Sequence, residues 1–445
     1  MLTIHGYRIL KDARELALKK DLTVRPFSFV NPTSQPKYKV YYEDSKWLYL
    51  PKHFGIDRIG PVPTMRDVER TPDWNWQFTG SLRPVQLPVV NSFLLPEPHD
   101  GIISLHTGGG KTVCALYIAS RLRVPTLVVV HNTFLRDQWI ERVKAFLPNA
   151  RIGRVQADVC DVVNKDIVIV MLQTLSMKEL NVDVFNPIGL VIVDECHHIA
   201  SEVFVQALPK ITSRHMLGLS ATPDRKDRLM FAIHWFLGPL LYKSDTGDSV
   251  DTAVSVEVYE YQNDDPEFNE IVTCKSGPSE GMVSVPIMVN KLTACEDRTR
   301  WLCKILEDIS EGGRQILVLS DRVQHCQDIL AGLPEDLRET ACILGTAVKA
   351  DLRAEYCRTK SILIATYSMC KEGFDVPTLN TLIMATPRPD IDQIVGRILR
   401  VEKAGRIVHP LIVDIVDPQF RRQFGMRNSL YRKRQYRVTK MTLPS

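Results

Sequence analysis

Eight consecutive residues, Leu105-His106-Thr107-Gly108-Gly109-Gly110-Lys111-Thr112, constrain what this chain can fold into more than any other stretch. The apolar run Gly101-Ile102-Ile103-Ser104-Leu105 before them reads as a buried strand. Val113-Cys114-Ala115-Leu116-Tyr117-Ile118-Ala119 after them reads as a helix. Strand, glycine-rich loop, Lys-Thr and helix in that order make a phosphate-binding loop. Three glycines let backbone N–H groups turn inward around phosphate oxygens without Cβ clashes. The helix N-terminus adds partial positive charge at the same place. Lys111 is then within reach of β- and γ-phosphates, and the Thr112 hydroxyl is placed to ligate Mg²⁺. The general pattern has glycine where this chain has Leu105, so the loop alone also fits a structural turn before a helix.

At 445 residues the chain has room for two or three domains. No apolar run reaches the ~18–20 residues of a membrane span, so no membrane partner is expected. Met1-Leu2-Thr3-Ile4-His5-Gly6 lacks the charged-then-apolar order of a secretory signal. The ten cysteines include no Cys-x-x-Cys pair. That argues against a zinc ribbon or a disulfide framework and for a reducing compartment, cytoplasm or nucleus. Charge is unevenly placed. Arg421, Arg422, Arg427, Arg432, Lys433, Arg434, Arg437 and Lys440 fall between 418 and 445 with no acidic residue among them. Interleaved with Phe420, Phe424, Tyr431 and Tyr436, this basic tail suits a polyanion. A solvated terminal helix is the plainer alternative.

Residues 1–70 read as a small accessory module. Lys37–Tyr42 and Trp47–Leu50 form a plausible hairpin, turning at Glu43-Asp44-Ser45-Lys46. Its aromatic and lysine side chains suit bases and phosphates, or equally a hydrophobic face against the next domain. Pro61, Pro63 and Pro72 mark a linker. From 75 to 240, short apolar runs alternate with helical stretches such as Thr133–Phe146: Ile102–Leu105, Thr126–His131, Ile167–Val170, Leu190–Val193 and Met216–Leu219. Runs without polar alternation are expected of strands buried on both faces. A linker spans 241–254. The alternation resumes over 255–417, with strands at Val254–Tyr261, Gln315–Ser320, Thr340–Leu344, Ser361–Thr366, Thr381–Ala385 and Pro410–Ile415. The expected fold is α/β, with two tandem parallel-sheet domains, a small N-terminal module and a basic tail at 418–445. Only the first domain has a Gly-Lys-Thr loop, which suggests a nucleotide bound between the two.

Leu190-Val191-Ile192-Val193-Asp194-Glu195-Cys196-His197-His198 is an apolar strand ending in two carboxylates. In enzymes with this loop, a carboxylate at such a strand end holds Mg²⁺ and a neighbour orients the attacking water. Asp194 is the candidate metal-linked residue and Glu195 the candidate catalytic base. A zinc site from Cys196, His197 and His198 is the rival, but adjacent residues on one turn rarely aim at one ion.

With Asp-Glu-Cys-His as a DExH box, the chain resembles the superfamily 2 helicases. Further motifs follow the family order. Arg83-Pro84-Val85-Gln86 resembles the segment whose Gln recognises adenine. Ser220-Ala221-Thr222 resembles the motif that couples hydrolysis to DNA contact. Gly373-Phe374-Asp375-Val376-Pro377 resembles motif V, and Gln393-Ile394-Val395-Gly396-Arg397-Ile398-Leu399-Arg400 matches motif VI. The match covers about residues 78–415. It implies two RecA-like domains, ATP and Mg²⁺ as cofactors, and nucleotide contacts from Arg83, Gln86, Thr107, Gly108, Gly109, Gly110, Lys111, Thr112, Asp194, Gly373 and Asp375. Arg397 and Arg400 take the place of the family's arginine fingers. On one helix, Gln393, Arg397 and Arg400 would share a face at i, i+4 and i+7. Nucleic-acid contacts are implied at strand ends: His131, Asn132 and Thr133 with Arg136 and Gln138; Gln173 and Thr174; Ser320, Asp321 and Arg322; and Thr366 to Lys371. Thr and Ser at strand ends also cap helices, which is the alternative for each.

Leu82-Arg83-Pro84-Val85-Gln86, Asp-Glu-Cys-His and Ala221-Thr222-Pro223-Asp224-Arg225 resemble the group of XPB, UvsW and the type I and III restriction translocases. Size and arrangement are also similar to the transcript-release helicases of large cytoplasmic DNA viruses. The resemblance implies an ATP-dependent DNA helicase or translocase acting in transcription, repair or recombination. ATP would close its two domains, and hydrolysis would reopen them. It leaves open a virus-encoded protein packaged in the virion. The Arg-Glu-Asp tripeptide of XPB is absent, and no nuclease motif is apparent. The alternatives are an ATP-dependent RNA helicase and a non-catalytic scaffold that binds a polymerase or transcription complex.

Overall fold

The computed structural model describes all residues except 13, 26–35, 62–75, 107, 199–202, 204–205, 222–228, 245–252, 275–279, 282, 346–347, 349, 372–375, 400, 402–404 and 443–445. The chain divides into two compact units, Met1–Ser244 and Asp245–Ser445. Each is built on a mixed α/β scaffold with a large sheet of mainly parallel strands.

In the first unit the sheet runs Val159–Cys160, Ile152–Gln156, Ile167–Met171, Thr126–Val130, Leu190–Val193, His215–Ser220, Gly101–Ser104, Leu240–Lys243. Only Val159–Cys160 is antiparallel to its neighbour. The central strands are apolar on both faces because helices cover both faces. Strand bounds fall within a residue of those read from the apolar runs, and the helix Thr133–Phe146 has its expected limits. The strand Ile152–Gln156 was invisible in the apolar pattern because Arg154 and Gln156 interrupt it. The stretch 241–254, read as a linker, instead begins inside the edge strand Leu240–Lys243, which lies beside Gly101–Ser104.

The first sixty residues do not stand apart from this unit. Gly6–Leu10 and Trp47–Leu50 pair antiparallel, with Tyr42–Glu43 on the far side of Trp47–Leu50. Tyr38–Lys39 pairs instead with Thr23–Val24, so the expected hairpin is split between two small sheets. One face of the larger sheet carries Tyr7, Leu48 and Leu50, which join Phe54 and the strand residues Ile102, Leu127 and Val191 in one apolar core. Lys52 locks the junction. Its ammonium, 2% exposed, lies 2.5 Å from Asp100 Oδ2 and donates to the carbonyls of Ser213 and Arg214. The opposite face is aromatic and basic. The Arg8 guanidinium sits 4.3 Å from the Trp47 ring centre, Lys46 lies 5.3 Å from it, and His5 stacks on Tyr42 at 4.8 Å.

In the second unit seven parallel strands run Ala341–Leu344, Ile362–Thr366, Ile316–Ser320, Thr381–Met384, Leu411–Val416, Ser255–Glu260, Arg437–Met441. The last of these corrects the reading of 418–445 as a tail. Arg421–Lys433 is a helix, and Arg437–Met441 pairs in register with Ser255–Glu260, Arg437 opposite Ser255 and Met441 opposite Tyr259. Of the interleaved aromatic residues, Tyr431 and Tyr436 are buried in the same apolar core as Val256 and Leu382. Arg427, 1% exposed, makes a two-pronged pair with Asp414 at 2.8–3.1 Å. Removing either partner of such a pair costs about 3–5 kcal/mol, since the other charge stays buried. Six of the eight basic residues stay exposed: Arg421, Arg422, Arg432 and Lys433 along the helix, and Arg437 and Lys440 on the edge strand, where charge discourages pairing with another chain.

Candidate nucleotide site and nucleic-acid contacts

Within the first unit, the buried strand Gly101–Ser104 leads into the loop and the helix Lys111–Leu122. Gly108 and Gly110 adopt φ of +84° and +85°, a region where a Cβ would be strained. At Gly110 a Cβ would also meet Gln86 Nε2 at 2.1 Å. Leu105, in the place of the pattern's glycine, is accommodated because its side chain turns into the core, 4% exposed, and its N–H donates to the Ser220 carbonyl at 3.0 Å. Thr107 lies outside the described residues.

Arg83 and Gln86 flank a single turn, Pro84–Gln86, that fastens to the loop. Gln86 Nε2 donates to the Gly109 carbonyl and Arg83 Nη2 to the Gly108 carbonyl, each at 3.2 Å. Gln86 Oε1 accepts from the Arg83 N–H at 2.9 Å. The buried Gln86 side chain is therefore held against the loop at both its oxygen and its nitrogen.

Lys111 Nζ lies 3.0 Å from Glu195 Oε1. Asp194 is 6% exposed, and its carboxylate is oriented from two sides. Trp139 Nε1 donates to Oδ2 at 2.8 Å, and the Glu195 N–H donates to Oδ1 at 2.9 Å. Glu195 itself has φ +45°, a left-handed turn that costs a non-glycine residue about 1–2 kcal/mol. That turn swings its side chain toward Lys111. His197 Nδ1 bridges the neighbouring strand, 3.5 Å from Glu195 Oε2 and 2.9 Å from Ser220 Oγ. Burial pushes the Asp194 carboxyl up to about 6, the Glu195 charge adds to this, and Lys111 and the Trp139 N–H oppose it. Two carboxylates crowded in a buried place beside the Thr112 helix turn are the hard oxygen donors that Mg²⁺ takes together with phosphate oxygens and water. Among the described residues no cluster of three or more His, Cys, Asp or Glu is arranged to hold a metal. Cys196 is wholly buried, and burial pushes its thiol up, away from the thiolate that zinc requires.

Trp139 is the residue that sequence reading missed. Nothing in the spacing of Thr133–Phe146 separates it from an ordinary core tryptophan; only its N–H on Asp194 does. Trp139→Phe keeps the ring and removes the donor. With Asp194 as the Mg²⁺ ligand of the function proposed below, the change is expected to raise the Mg²⁺ concentration for half-maximal ATP turnover by about 10-fold or more, as loss of an orienting partner does. An unchanged Mg²⁺ titration would contradict that role.

The candidate nucleic-acid residues separate by environment. Asn132 caps the helix Thr133–Phe146, its side chain accepting from the Leu135 N–H at 2.8 Å, and Thr133 is the first helical residue. Arg136 is engaged by Asp137 at 2.6 Å and by Gln156, while Gln138 lies on the same helix. Gln173 Nε2 donates to the His131 carbonyl at 2.5 Å. Thr174 is buried and accepts from the Ala157 N–H. In the second unit Ser320 is fully buried, with its hydroxyl 2.9 Å from His325 Nδ1. Arg322 donates to Asn290 Oδ1 and to the Asp321 and Pro286 carbonyls. Thr366 ends its strand and pairs with the Ser368 hydroxyl at 2.9 Å. Ser320 thus sets its own turn, its hydroxyl accepting from the Arg322 N–H, while Thr174 is held against the Ala157 backbone. Asn132, Thr133, Gln173 and Thr366 stay at solvent-facing strand ends.

Motif VI differs from its expected form. Asp392–Val395 is a single helical turn, and the backbone then tightens, Arg397 N–H donating to the Ile394 carbonyl and Ile398 N–H to the Val395 carbonyl. Gln393 and Arg397 therefore do not share the face of one regular helix. Gly396 keeps right-handed helical angles, and the period changes at the i→i−3 bonds of Arg397 and Ile398. Arg397 is 7% exposed. Arg400, Gly373, Phe374, Asp375 and Thr222 lie outside the described residues.

Residues 79–225 match the family described as type III restriction enzyme, res subunit. Over 99% of its length the chain is 30% identical to the "Putative ATP-dependent RNA helicase L396" of Acanthamoeba polyphaga mimivirus, covering 86% of that protein. It is 29% identical to the African swine fever virus protein QP509L of the same printed description, over 76% of this chain and 69% of that one. Among solved structures, Saccharomyces cerevisiae Dbp5 bound to RNA and ADP BeF3 aligns over 80% of this chain and 89% of its own, with a TM-score of 0.56 at 13% identity, a likeness of fold. The phosphate loop braced by Arg83 and Gln86, the Asp194–Glu195 pair and a relative matching from end to end agree: the chain belongs to the superfamily 2 helicases, and resembles among them the type III restriction res subunits and the helicases of large DNA viruses.

Proposed function

We propose that this ATP-dependent helicase is a DNA motor, hydrolysing ATP to move along or unwind DNA. The observation that carries the reading is the convergence of Lys111, Asp194 and Glu195, with Lys111 3.0 Å from Glu195, beneath a loop shaped for phosphates. Lys111 would bind the β- and γ-phosphates. Glu195 would orient a water for attack on the γ-phosphorus and take its proton as the bond to the β-phosphate oxygen breaks. Thr112 and Asp194 would hold Mg²⁺, which when bound neutralises charge on the phosphates. Arg397 would supply a planar guanidinium to the γ-phosphoryl as its charge spreads, and Gln393, Gly373, Asp375, Thr107 and Arg400 would complete the nucleotide contacts.

DNA is favoured by the match of 79–225 to restriction subunits. RNA is the second reading, favoured by the printed descriptions of the mimivirus and African swine fever virus relatives. Both kinds of contact track phosphates and carry little information on the sugar. ATP hydrolysis measured with single-stranded DNA, duplex DNA and RNA decides between them. Stimulation by DNA alone supports the proposal, and stimulation by RNA alone replaces it with the second reading. Binding without turnover would leave a scaffold of a transcription complex. The viral origin of the relatives supports a virus-encoded protein, packaged in the virion if it serves early transcription. No helix among the described residues is long and apolar enough to cross a membrane.

The outer face of the N-terminal sheet is a further proposed contact. His5, Arg8, Tyr42, Lys46 and Trp47 offer rings and cations on the side away from the core. Trp47→Ala is expected to weaken single-strand binding by about 1–3 kcal/mol, the worth of one stacked base. Fluorescence anisotropy with a labelled oligonucleotide measures it, and an unchanged affinity removes this face from the pathway.

A further inference from the structure

We propose that the C-terminal segment Arg421–Met441 is a brace that positions the motif VI loop, acting through Arg427 and, chiefly, Arg434. The inference rests on the reading of Arg397 as the arginine finger. The loop has little to hold it by itself. Its helix, Asp392–Val395, is one turn long, and an isolated turn has no stability of its own in water. Arg397 follows it after Gly396, so the aim of the guanidinium depends on what fixes residues 388–398 from outside.

The C-terminal segment grips them in three ways. Arg427 Nη1 donates to the Arg388 carbonyl at 2.8 Å. The same guanidinium is immobilised by Asp414, which also accepts from the Tyr431 hydroxyl at 2.8 Å. Arg434 pairs with Asp392, the first residue of the helical turn, and its side chain is largely covered. Tyr431 and Tyr436 pack in the core that also holds Ile391, Ile394, Val395 and Ile398. Arg388 is held on its far side too, paired with Asp321 and lying 4.8 Å from the Tyr367 ring centre. Two of the basic residues that looked like polyanion ligands are thus committed to the segment that precedes the finger. Anchors at Arg388 and Asp392 fix where the chain enters the turn, and the apolar side chains fix how it is rotated.

The brace predicts a loss in the chemical step without a loss in binding. Arg434→Ala and Asp392→Asn, in the full chain at saturating nucleic acid, are each expected to lower kcat by about 10- to 100-fold, the cost of a reacting group displaced by an ångström or so. KM for ATP and the melting temperature are expected to stay near those of the unaltered protein. The double variant is expected to lose no more than either single one, because both remove the same contact. Reversing the pair, Arg434→Asp with Asp392→Arg, is expected to recover part of the rate. Where Arg434→Ala does not fold, Arg434→Lys keeps the charge but loses the planar fork, and a reduced kcat at unchanged KM is again expected. An unchanged kcat overturns the brace. So does a kcat kept at saturation with a raised half-saturating concentration of nucleic acid, which would make Arg434 a phosphate contact. Arg397→Ala measured alongside separates the two readings. If it retains turnover, the finger assignment itself fails; if it loses turnover while Arg434→Ala does not, only the brace fails.

Discussion

Glu195→Gln is expected to lower ATP turnover by about 10²–10⁴-fold while leaving ATP bound, because it removes a proton acceptor and little else. The amide is nearly isosteric with the carboxylate. It keeps an oxygen toward Lys111, now 3.0 Å from Oε1, but cannot take the proton of an attacking water. The left-handed turn at Glu195 is a property of the backbone and survives the change. Removing the Glu195 charge also relieves Asp194, whose carboxyl is raised by burial first and by Glu195 second. Metal binding is therefore not expected to collapse. Steady-state hydrolysis gives the turnover, and equilibrium binding of a fluorescent ATP analogue gives the affinity. Turnover close to that of the unaltered chain would remove Glu195 from the role of base. Lost turnover with lost ATP binding would make it a structural partner of Lys111 instead.

Arg397→Ala is expected to lower kcat by about 10³-fold, again without weakening ATP binding in proportion. A guanidinium acts on the γ-phosphoryl only as charge develops there, so its loss falls on the transition state. Arg397→Lys is expected to recover little, since a point charge does not reproduce a planar fork. A parallel loss in kcat and in ATP affinity would indicate ground-state binding alone. Near-normal turnover would move the finger elsewhere in motif VI.

The parts of this protein legible in its sequence are those fixed by local chemistry. Buried parallel strands stand out because they lack polar alternation, as in Val128-Val129-Val130 or Leu190-Val191-Ile192-Val193. The phosphate loop stands out because its glycines must adopt backbone angles closed to other residues. Asp194 and Glu195 were legible because they close a buried strand. Contacts made across sequence were not. The Trp139 N–H on Asp194, the Lys52 ammonium on Asp100 and the Arg434 pair with Asp392 join residues 55, 48 and 42 positions apart, and no local pattern marks them. Composition at the C-terminus did not separate the paired charges from the exposed ones. A basic, aromatic stretch reads as a polyanion-binding tail or a solvated helix; it is a helix and a strand, with Tyr431 buried, Arg427 on an internal carboxylate and Arg434 on Asp392, while the other six basic residues stay exposed. Motif VI departs from its spacing in a similar way: the regular helix stops at Val395, and the backbone carries on through Gly396, Arg397 and Ile398 as tighter turns.

The most direct test of the account is an unwinding measurement on a forked DNA with a labelled strand, comparing the unaltered chain with Glu195→Gln at saturating ATP and Mg²⁺. The account predicts strand release that requires ATP, stops with a non-hydrolysable analogue and is absent in Glu195→Gln although the variant still binds the fork. Strand release that proceeds equally in Glu195→Gln, or without ATP, would contradict the claim that the site at Lys111, Asp194 and Glu195 drives movement on nucleic acid.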